Sequence, residues 1–273
     1  QAEDGIRDRS PSRGLGDVYK RQVLVALARS GVGAPAGPVA SEEGALGVSE
    51  ARLLRFSTPL AVNTLLWWST PLLINSVLAR SPFPAEAIAA FIVVEAVAWF
   101  LVAPVGQLQH VGIALVDCKP AHRAVQVWSL ALAMGVALLI AVISTPPVRR
   151  ILLGVVFGLD AGLLGDIGAA LPFAVAYPLL YAHRQYYQGL FTRCGRPDAV
   201  GWGGALRVVT VFLVAVAALG PLGHVGATLG VLAAVAGLAL EGVFLERTAR
   251  RQVMTVLPES EPAARQPLSE SVT

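Results

Sequence analysis

RAVQVWSLALAMGVALLIAVIST, residues 123 to 145, carries no charged side chain after Arg123 and consists mostly of aliphatic residues. A helix needs about 20 predominantly apolar residues to cross the hydrocarbon core of a bilayer. The stretch has that length, and it lacks the alternation of polar and apolar residues that is typical of a membrane-spanning strand. It therefore predicts a transmembrane helix and an all-α integral membrane protein.

Five other segments share this length and apolar character. The six predicted spans cover residues 53 to 79, 86 to 116, 123 to 145, 169 to 192, 199 to 220 and 224 to 246. The composition agrees, because 55% of the residues are hydrophobic and 14% are charged, against about 25% charged in an ordinary soluble domain. Pro104 offers a bend in the second span. RRILLGVVFGLDAGLLGDIG, after the third span, predicts an interfacial helix on the outer surface.

The two ends of the chain differ in composition from the spans. Residues 1 to 22 are polar and charge-dense and resemble a translated sequencing adaptor, so we expect them to lie outside the fold, as an artefact or as a natural disordered tail. Residues 23 to 50 are interpreted as a remnant helix end and a Gly- and Pro-rich linker. Residues 51 to 251 form the predicted six-helix lobe, and residues 252 to 273 a disordered cytoplasmic tail.

The positions of Lys and Arg predict the orientation, since loops on the cytoplasmic side carry an excess of them. One side of the predicted spans holds nine: Arg52, Arg55, Lys119, Arg123, Arg193, Arg196, Arg247, Arg250 and Arg251. The other side holds three: Arg80, Arg149 and Arg150. We therefore expect a multi-pass protein of a plasma membrane, such as a bacterial inner membrane, with both termini in the cytoplasm.

Several function classes lack their sequence signals. The basic residues are scattered between apolar runs and form no patch, so nucleic-acid binding is not expected. Two cysteines, Cys118 and Cys194, cannot build a disulfide framework or a thiolate metal site. The sequence has no zinc-protease spacing of histidines, no phosphate-binding glycine loop after a strand and no nucleophile elbow. We predict no enzyme activity, no cofactor and no metal.

Four charged residues fall deep within the predicted spans: Glu95, Arg184, Arg207 and Glu241. Charges at membrane depth are costly and usually face a bundle interior or a water-filled path. In the sixth span, Glu241 shares one helix face with a series of small residues at spacings of three and four. These are Gly226, Gly230, Ala234 and Gly237. Small residues at this spacing predict close packing against another helix.

The fourth span carries a polar stripe. At about 100° per residue, Tyr177, Tyr181, Arg184, Gln185 and Gln188 fall within one arc of the helix. One interpretation is a lining for the path of a polar substrate, with the guanidinium as the anion contact. The other is a structural arginine that reaches the cytoplasmic interface, with the tyrosines in an aromatic belt.

Polar residues in the first two spans have two interpretations as well. Glu95 and His110 share a face of the second span, with Gln107 near the same end. They could carry protons in a coupled transporter, or Glu95 and His110 could be a hydrogen-bonded structural pair. In the first span, Asn63 and Asn75 could line a transport path or join helices through hydrogen bonds.

Several of these features occur in the order typical of a known transporter family. RLLRFSTPLAVNTLLWWSTPLLINSVLAR is similar to the opening helix of a six-helix lobe in the multidrug, oligosaccharidyl-lipid and polysaccharide exporter superfamily. From about Ala51 to Arg251 the chain resembles the second lobe of progressive ankylosis (ANK) proteins. The specific matches are Pro59, Asn75, Arg80, Glu86, Ala87, Pro178, Arg184, Gly189, Arg207, the run HVGATLGV and Glu241.

The resemblance implies one lobe of a MATE-like fold and therefore half of a two-lobed exporter. It implies three partners: the lipid bilayer, an N-terminal lobe of the same polypeptide and a small anionic substrate such as pyrophosphate, citrate or a nucleotide. It also implies that Arg184, Arg207 and Glu241 belong to the transport path. Together with the polar stripe, it predicts that Arg184 points into the lobe, where Glu95 and Glu241 can neutralise it.

The chain departs from the family at four positions. Gln107, Gln109 and His110 stand where the family has acidic and basic residues, and Trp68 stands where it has an arginine. The substrate and the coupling ion therefore stay open. Two other functions stay open too: a flippase for lipid-linked oligosaccharides or a multidrug exporter of the same superfamily, and a membrane scaffold without transport.

Overall fold

The computed structural model describes residues 50–222, 225–255 and 257–259. All of these residues belong to one compact unit. The predicted segment at 1 to 22 lies outside the described residues, and so do the linker before Glu50 and the tail from residue 260 onward.

The described residues form nine α-helices and no strand. The helices are α1 (Glu50–Leu78), α2 (Pro84–Val102), α3 (Leu108–Leu115), α4 (Lys119–Ser144), α5 (Pro146–Arg149), α6 (Ala161–Ala174), α7 (Ala176–Arg193), α8 (Asp198–Leu222) and α9 (Gly226–Gln252). A 3₁₀-helix, Ala103–Gln107, joins α2 to α3, and a π-helix, Arg150–Val156, follows α5. The structure is therefore all-α, as the sequence predicts.

Four helical segments among the described residues are long and apolar enough to cross a membrane. They are Pro84–Leu115, which combines α2 and α3, and the segments Lys119–Ser144, Asp198–Pro221 and Gly226–Gln252. The pair α6 and α7, bent by 41°, is a fifth if it is counted as one span. Helix α1 occupies the first predicted span but is less apolar, because it contains asparagines, prolines and several hydroxyl residues.

Prolines mark both breaks in the long helical segments. Pro104 lies in the 3₁₀-helix between α2 and α3, so the α-helical hydrogen bonding of the second span is interrupted at the position of the predicted bend. Proline lacks an N–H group and interrupts the hydrogen bonding of an α-helix. The second break, at Val175, lies between Pro172 and Pro178, and it divides the fourth predicted span into α6 and α7.

The interfacial helix predicted over residues 149 to 168 is not one helix. Its first half forms the π-helix, and its second half belongs to α6, which leads directly into the fourth predicted span. Asp160 explains the division, because its side chain accepts a hydrogen bond from the Leu163 N–H at 3.0 Å and so caps a new helix. Arg149 then folds against Gly168 and donates to the Ser144 carbonyl at 3.0 Å.

Helix α9 lies at the centre of the bundle and packs on α2, α6, α7 and α8. The small residues predicted as a packing seam do face neighbouring helices. A Cβ atom added at Gly230 would lie 2.7 Å from the Phe91 ring on α2, and one added at Gly237 would lie 2.5 Å from Val211 on α8. These glycines let the α9 backbone approach both helices closely.

The described part of the predicted disordered tail lies against the bundle. Val253 is buried. The Lys119 N–H donates to the Pro258 carbonyl at 2.9 Å, and the Lys119 ammonium pairs with Glu259. The C-terminal segment up to Glu259 therefore packs against the first turn of α4.

Candidate functional site

One carboxylate holds two arginines in the middle of the bundle. Glu241 on α9 is fully buried, and its Oε2 atom lies 2.7 Å from Arg207 Nη1 on α8 and 2.8 Å from Arg184 Nε on α7. The Arg207 contact is a hydrogen bond. The Arg184 contact is an ion pair without hydrogen-bond geometry, because the Nε–H does not point at the oxygen. We call these three residues the charge cluster.

Close helix packing brings these charges together. A Cβ atom added at Gly203 on α8 would lie 3.3 Å from Glu241 Cγ, and one added at Gly237 on α9 would lie 3.0 Å from Arg207 Cγ. Arg184 is 3% exposed and Arg207 is 1% exposed, so water screens the charges little. Two guanidiniums and one carboxylate have a formal sum of +2 − 1 = +1, and the charge cluster therefore keeps one uncompensated positive charge.

Amide side chains complete the surroundings of Arg184. Gln185 Oε1 accepts a hydrogen bond from Arg184 Nη1 at 2.8 Å, and Asn63 Oδ1 accepts a longer one from Nη2 at 3.5 Å. Gln188 Nε2 lies 3.4 Å from Glu241 Oε1. Three of the predicted site residues thus lie in direct contact with the charge cluster, and the polar stripe of α7 faces the interior.

Trp67 on α1 is a functional candidate that the sequence reasoning missed. Its ring centroid lies 4.5 Å from Arg184 Cζ and 4.7 Å from Arg207 Cζ, within the range of cation–π attraction. Its ring also lies 5.4 Å from that of Tyr181. A signal was present, because Trp67 is four residues after Asn63 and so shares a helix face with it.

Two cavities adjoin the charge cluster. The first, about 140 Å³, is lined by Arg184 and its amide neighbours. The second, about 520 Å³, lies between α1 and α2 and is lined by Arg207, Glu95 and Asn75 among others. Trp67 and Tyr181 line both cavities. The two aromatic side chains therefore border both the space beside Arg184 and the space beside Arg207.

Glu95 does not neutralise Arg184, which corrects that expectation. Its carboxylate accepts hydrogen bonds of 2.5 Å from the Tyr177 hydroxyl and from Trp99 Nε1. In the described part of the chain, the salt bridge of Arg184 is with Glu241. The explanation is geometric. Helix α9, which carries Glu241, packs directly on α7. Glu95 contacts α7 at Tyr177 instead, and Tyr177 lies two helical turns before Arg184.

The proposed pairing of Glu95 with His110 is also not present. His110 and Gln107 are both exposed; Gln107 is the last residue of the 3₁₀-helix that follows α2, and His110 lies beyond it. A 3₁₀-helix has 3.0 residues per turn instead of 3.6, so residues on either side of it do not keep the face that a continuous α-helix would give them. These two residues of the predicted transport path therefore take no part in the buried contacts of the charge cluster.

Comparison of the chain with protein-family models, with curated proteins and with solved structures finds no match. The resemblance to ANK proteins therefore stays a prediction from the sequence. The chemistry of the site does suggest a ligand class: guanidinium and amide N–H groups beside aromatic rings suit an anion. In the described residues, no three His, Cys, Asp or Glu side chains come together as a group that could hold a metal.

Proposed function

We propose that the chain forms a six-helix membrane lobe of a transporter and that Arg184 and Arg207 bind a small anionic substrate. The observation that carries this proposal is the uncompensated positive charge of the charge cluster. Two buried guanidiniums share one carboxylate oxygen, at 2.8 and 2.7 Å. A second anion beside them would balance the cluster, and a small anionic substrate can supply it.

The outer surface of α1 supports its assignment as a membrane span, which raises the proposed count to six. Leu65 is 71% exposed, and Trp68 and Leu72 are each 70% exposed. Their spacing of three and four residues places them on one helix face. The polar residues that lower the hydropathy of α1 include Asn63, which faces the interior. An apolar outer face with polar groups inside is typical of a helix that borders lipid.

A transport path also accounts for the position of the charge cluster. Charges within membrane-spanning segments are expensive and commonly mark the route of a substrate or an ion. Here the cluster lies beside two cavities, and Trp67 and Tyr181 line both of them. In the two-lobed arrangement implied by the ANK resemblance, rocking of the lobes would expose such a cluster to each side of the membrane in turn. The charge bias of the loops supports a cytoplasmic position for both termini, in a plasma membrane as the sequence predicts.

The two alternative functions make different demands on the same site. A scaffold without transport needs no binding group, and a balanced set of charges would serve it better than a cluster with a surplus. A flippase needs an opening toward lipid. The cavity of about 520 Å³ has one, because exposed residues of α1 and α2 belong to its lining. That opening keeps a lipid-like substrate as the second candidate.

Binding of labelled anions to the purified protein in nanodiscs tests the proposal. The panel contains pyrophosphate, citrate and a single-chain carboxylate. Arg184→Gln leaves Arg207 and Glu241 as a balanced pair, so the variant should fold. We expect it to weaken binding of the preferred anion by about ten- to a hundredfold, because one charge-assisted hydrogen bond contributes about 1.5–3 kcal/mol. Arg184→Lys should restore part of the affinity.

The matched control is Arg247→Gln, which removes the same charge from an exposed position on α9. It should leave binding unchanged. Absence of binding for all anions of the panel, or equal weakening by Arg247→Gln, would contradict an anion site at the charge cluster. Uptake of the bound anion into proteoliposomes that contain this lobe joined to an N-terminal lobe distinguishes a transporter from a scaffold, and binding without uptake by that two-lobed protein would contradict the proposed transport.

A further inference from the structure

The cavity between α1 and α2 has apolar walls. It encloses about 520 Å³, which lies within the usual range of about 300–1,000 Å³ for small-molecule sites. Its walls include Trp67, Ile74, Phe91, Trp99 and Leu238. Most of this lining is aliphatic or aromatic, so a ligand with an apolar body would be favoured over a fully hydrated one.

The cavity opens to the side of the bundle. Trp68 on α1 and Ile92 on α2 belong to its lining, and both side chains are largely exposed. In a bilayer, this opening faces the hydrocarbon chains. An amphiphile dissolved in the membrane could therefore reach the cavity directly from the lipid.

A buried guanidinium with free donors lies at the inner end of the cavity. Arg207 is 1% exposed and lines the cavity, and its Nη1 atom is bound to Glu241. Among the described residues, its Nε and Nη2 atoms have no hydrogen-bond partner. Buried polar groups without partners are costly, and a carboxylate with two oxygens matches the fork of an arginine. Both nitrogens are almost fully covered by neighbouring groups, so an anionic head group reaches these two N–H groups when the side chains around them, such as Trp67, shift.

The charges around the cavity set the charge of its ligand. The charge cluster keeps a formal surplus of one positive charge, and the carboxyl group of Glu95, which also lines the cavity, is already hydrogen-bonded to Tyr177 and Trp99. A ligand with one negative charge balances the surplus of the charge cluster. Arg207 is the cationic side chain in the described lining of the cavity, so further negative charges on the ligand would be buried without a partner.

We infer that this cavity binds an amphiphilic monoanion: a single carboxylate on an aliphatic or aromatic body. The carboxylate accepts hydrogen bonds from Arg207, and the body packs against Trp67, Trp99 and Phe91. This inference rests on the proposed function and names the substrate class of the same site. It excludes small polyanions such as pyrophosphate as the preferred ligand of this cavity.

The test uses the purified chain in phosphatidylcholine nanodiscs and a brominated fatty acid, 12-bromododecanoate, which quenches tryptophan fluorescence on contact. Three tryptophans, Trp67, Trp68 and Trp99, line the cavity and report its occupation. We expect saturable quenching that Arg207→Gln weakens at least tenfold. Arg207→Gln leaves a balanced pair of Arg184 and Glu241. An uncharged analogue, 12-bromododecanol, should bind at least tenfold more weakly than the acid.

A second pair of variants tests the location without altering a charge. Ala96 is exposed and belongs to the lining, whereas Ala89 is exposed two turns earlier on the same helix and lies outside it. Ala96→Phe should fill the opening and weaken quenching at least tenfold, and Ala89→Phe should leave it unchanged. Equal effects of the two substitutions, or saturable quenching that does not depend on Arg207, would overturn the inference.

Competition identifies the class of ligand. Decanoate should displace the brominated acid, and citrate and pyrophosphate should not. If citrate or pyrophosphate binds in an Arg184-dependent manner and decanoate does not, the inference is wrong and the proposed function stands. If none of these anions binds, both are wrong. Equal displacement by phosphatidylglycerol added to the nanodisc would show a phospholipid site and would also overturn the inference.

Discussion

Replacing Glu241 with glutamine removes the carboxylate that Arg184 and Arg207 share. Both guanidiniums would then be buried beside each other, at 3% and 1% exposure, with no carboxylate between them. The glutamine amide keeps one acceptor oxygen, so the shape and some of the hydrogen bonding are preserved. The loss is therefore mostly one of charge, and we expect the folded protein to be strongly destabilised.

The magnitude follows from the burial of the pair. Removing one partner of a buried ion pair costs about 3–5 kcal/mol. Taking about 4 kcal/mol, and about 2–4 °C per kcal/mol for a domain of this size, the expected decrease in the melting temperature is about 8 to 16 °C. Adding Arg184→Gln to Glu241→Gln removes one of the two cations that have lost their counter-charge. The melting temperature of the double variant should therefore be higher than that of Glu241→Gln alone.

Glu246→Gln is the matched control, because Glu246 lies on the same helix and also pairs with two partners. Its nitrogen–oxygen distances are 3.2 Å to His183 and 2.5 Å to Arg250. The Glu246 side chain is 25% exposed, so water screens these pairs and we expect a cost below about 1 kcal/mol. The assay is thermal unfolding in detergent, in which size-exclusion chromatography measures the folded fraction that remains after heating to each temperature. Equal decreases in the melting temperature for the two variants would refute the reasoning.

Two further predictions concern packing and topology. Gly189→Ala should destabilise the protein by about 1–3 kcal/mol in the same thermal assay, because a Cβ atom there would clash with the Gln109 carbonyl, whereas Gly135→Ala meets no atom within 4 Å and should stabilise its helix by up to about 1 kcal/mol. A membrane-impermeant maleimide should label Cys194 from the cytoplasmic side and a cysteine introduced at Gly165 from the outer side, and the opposite pattern would contradict the orientation. Partial burial raises the pKa of the Cys194 thiol, so the midpoint of its labelling rate against pH should lie above about 8.5, the ordinary pKa of a thiol.

The sequence was most informative where the physics is local. Spans, bends and helix faces depend on hydropathy, proline and residue spacing, all of which act within a few turns. The helix Lys119–Ser144 accordingly agrees closely with the span predicted at 123 to 145. The inward stripe of α7 and the glycine face of α9 follow from the same periodicity, and the structure confirms both.

The partners within the site depend on how the helices pack, and hydropathy says little about that. Glu95 and Glu241 were equal candidates to neutralise Arg184, because both are single carboxylates in apolar spans. Glu241 is the partner of Arg184 because α9 packs closely against α7 and α8. The predicted interfacial helix divides in two for a local reason, because Asp160 caps a new helix. An aspartate in this position is a recognisable helix-start signal, but the continuous hydropathy of the segment favoured a single helix.

The sharing of a single carboxylate oxygen by two arginines also limits the order in which these positions can change during evolution. If Arg184 or Arg207 is lost first, one arginine and Glu241 remain as a balanced buried pair. If Glu241 is lost first, two buried cations remain without a counter-charge. A gradual replacement of this cluster would therefore begin at an arginine, and sequences that have lost the glutamate should already have lost at least one of its two partners.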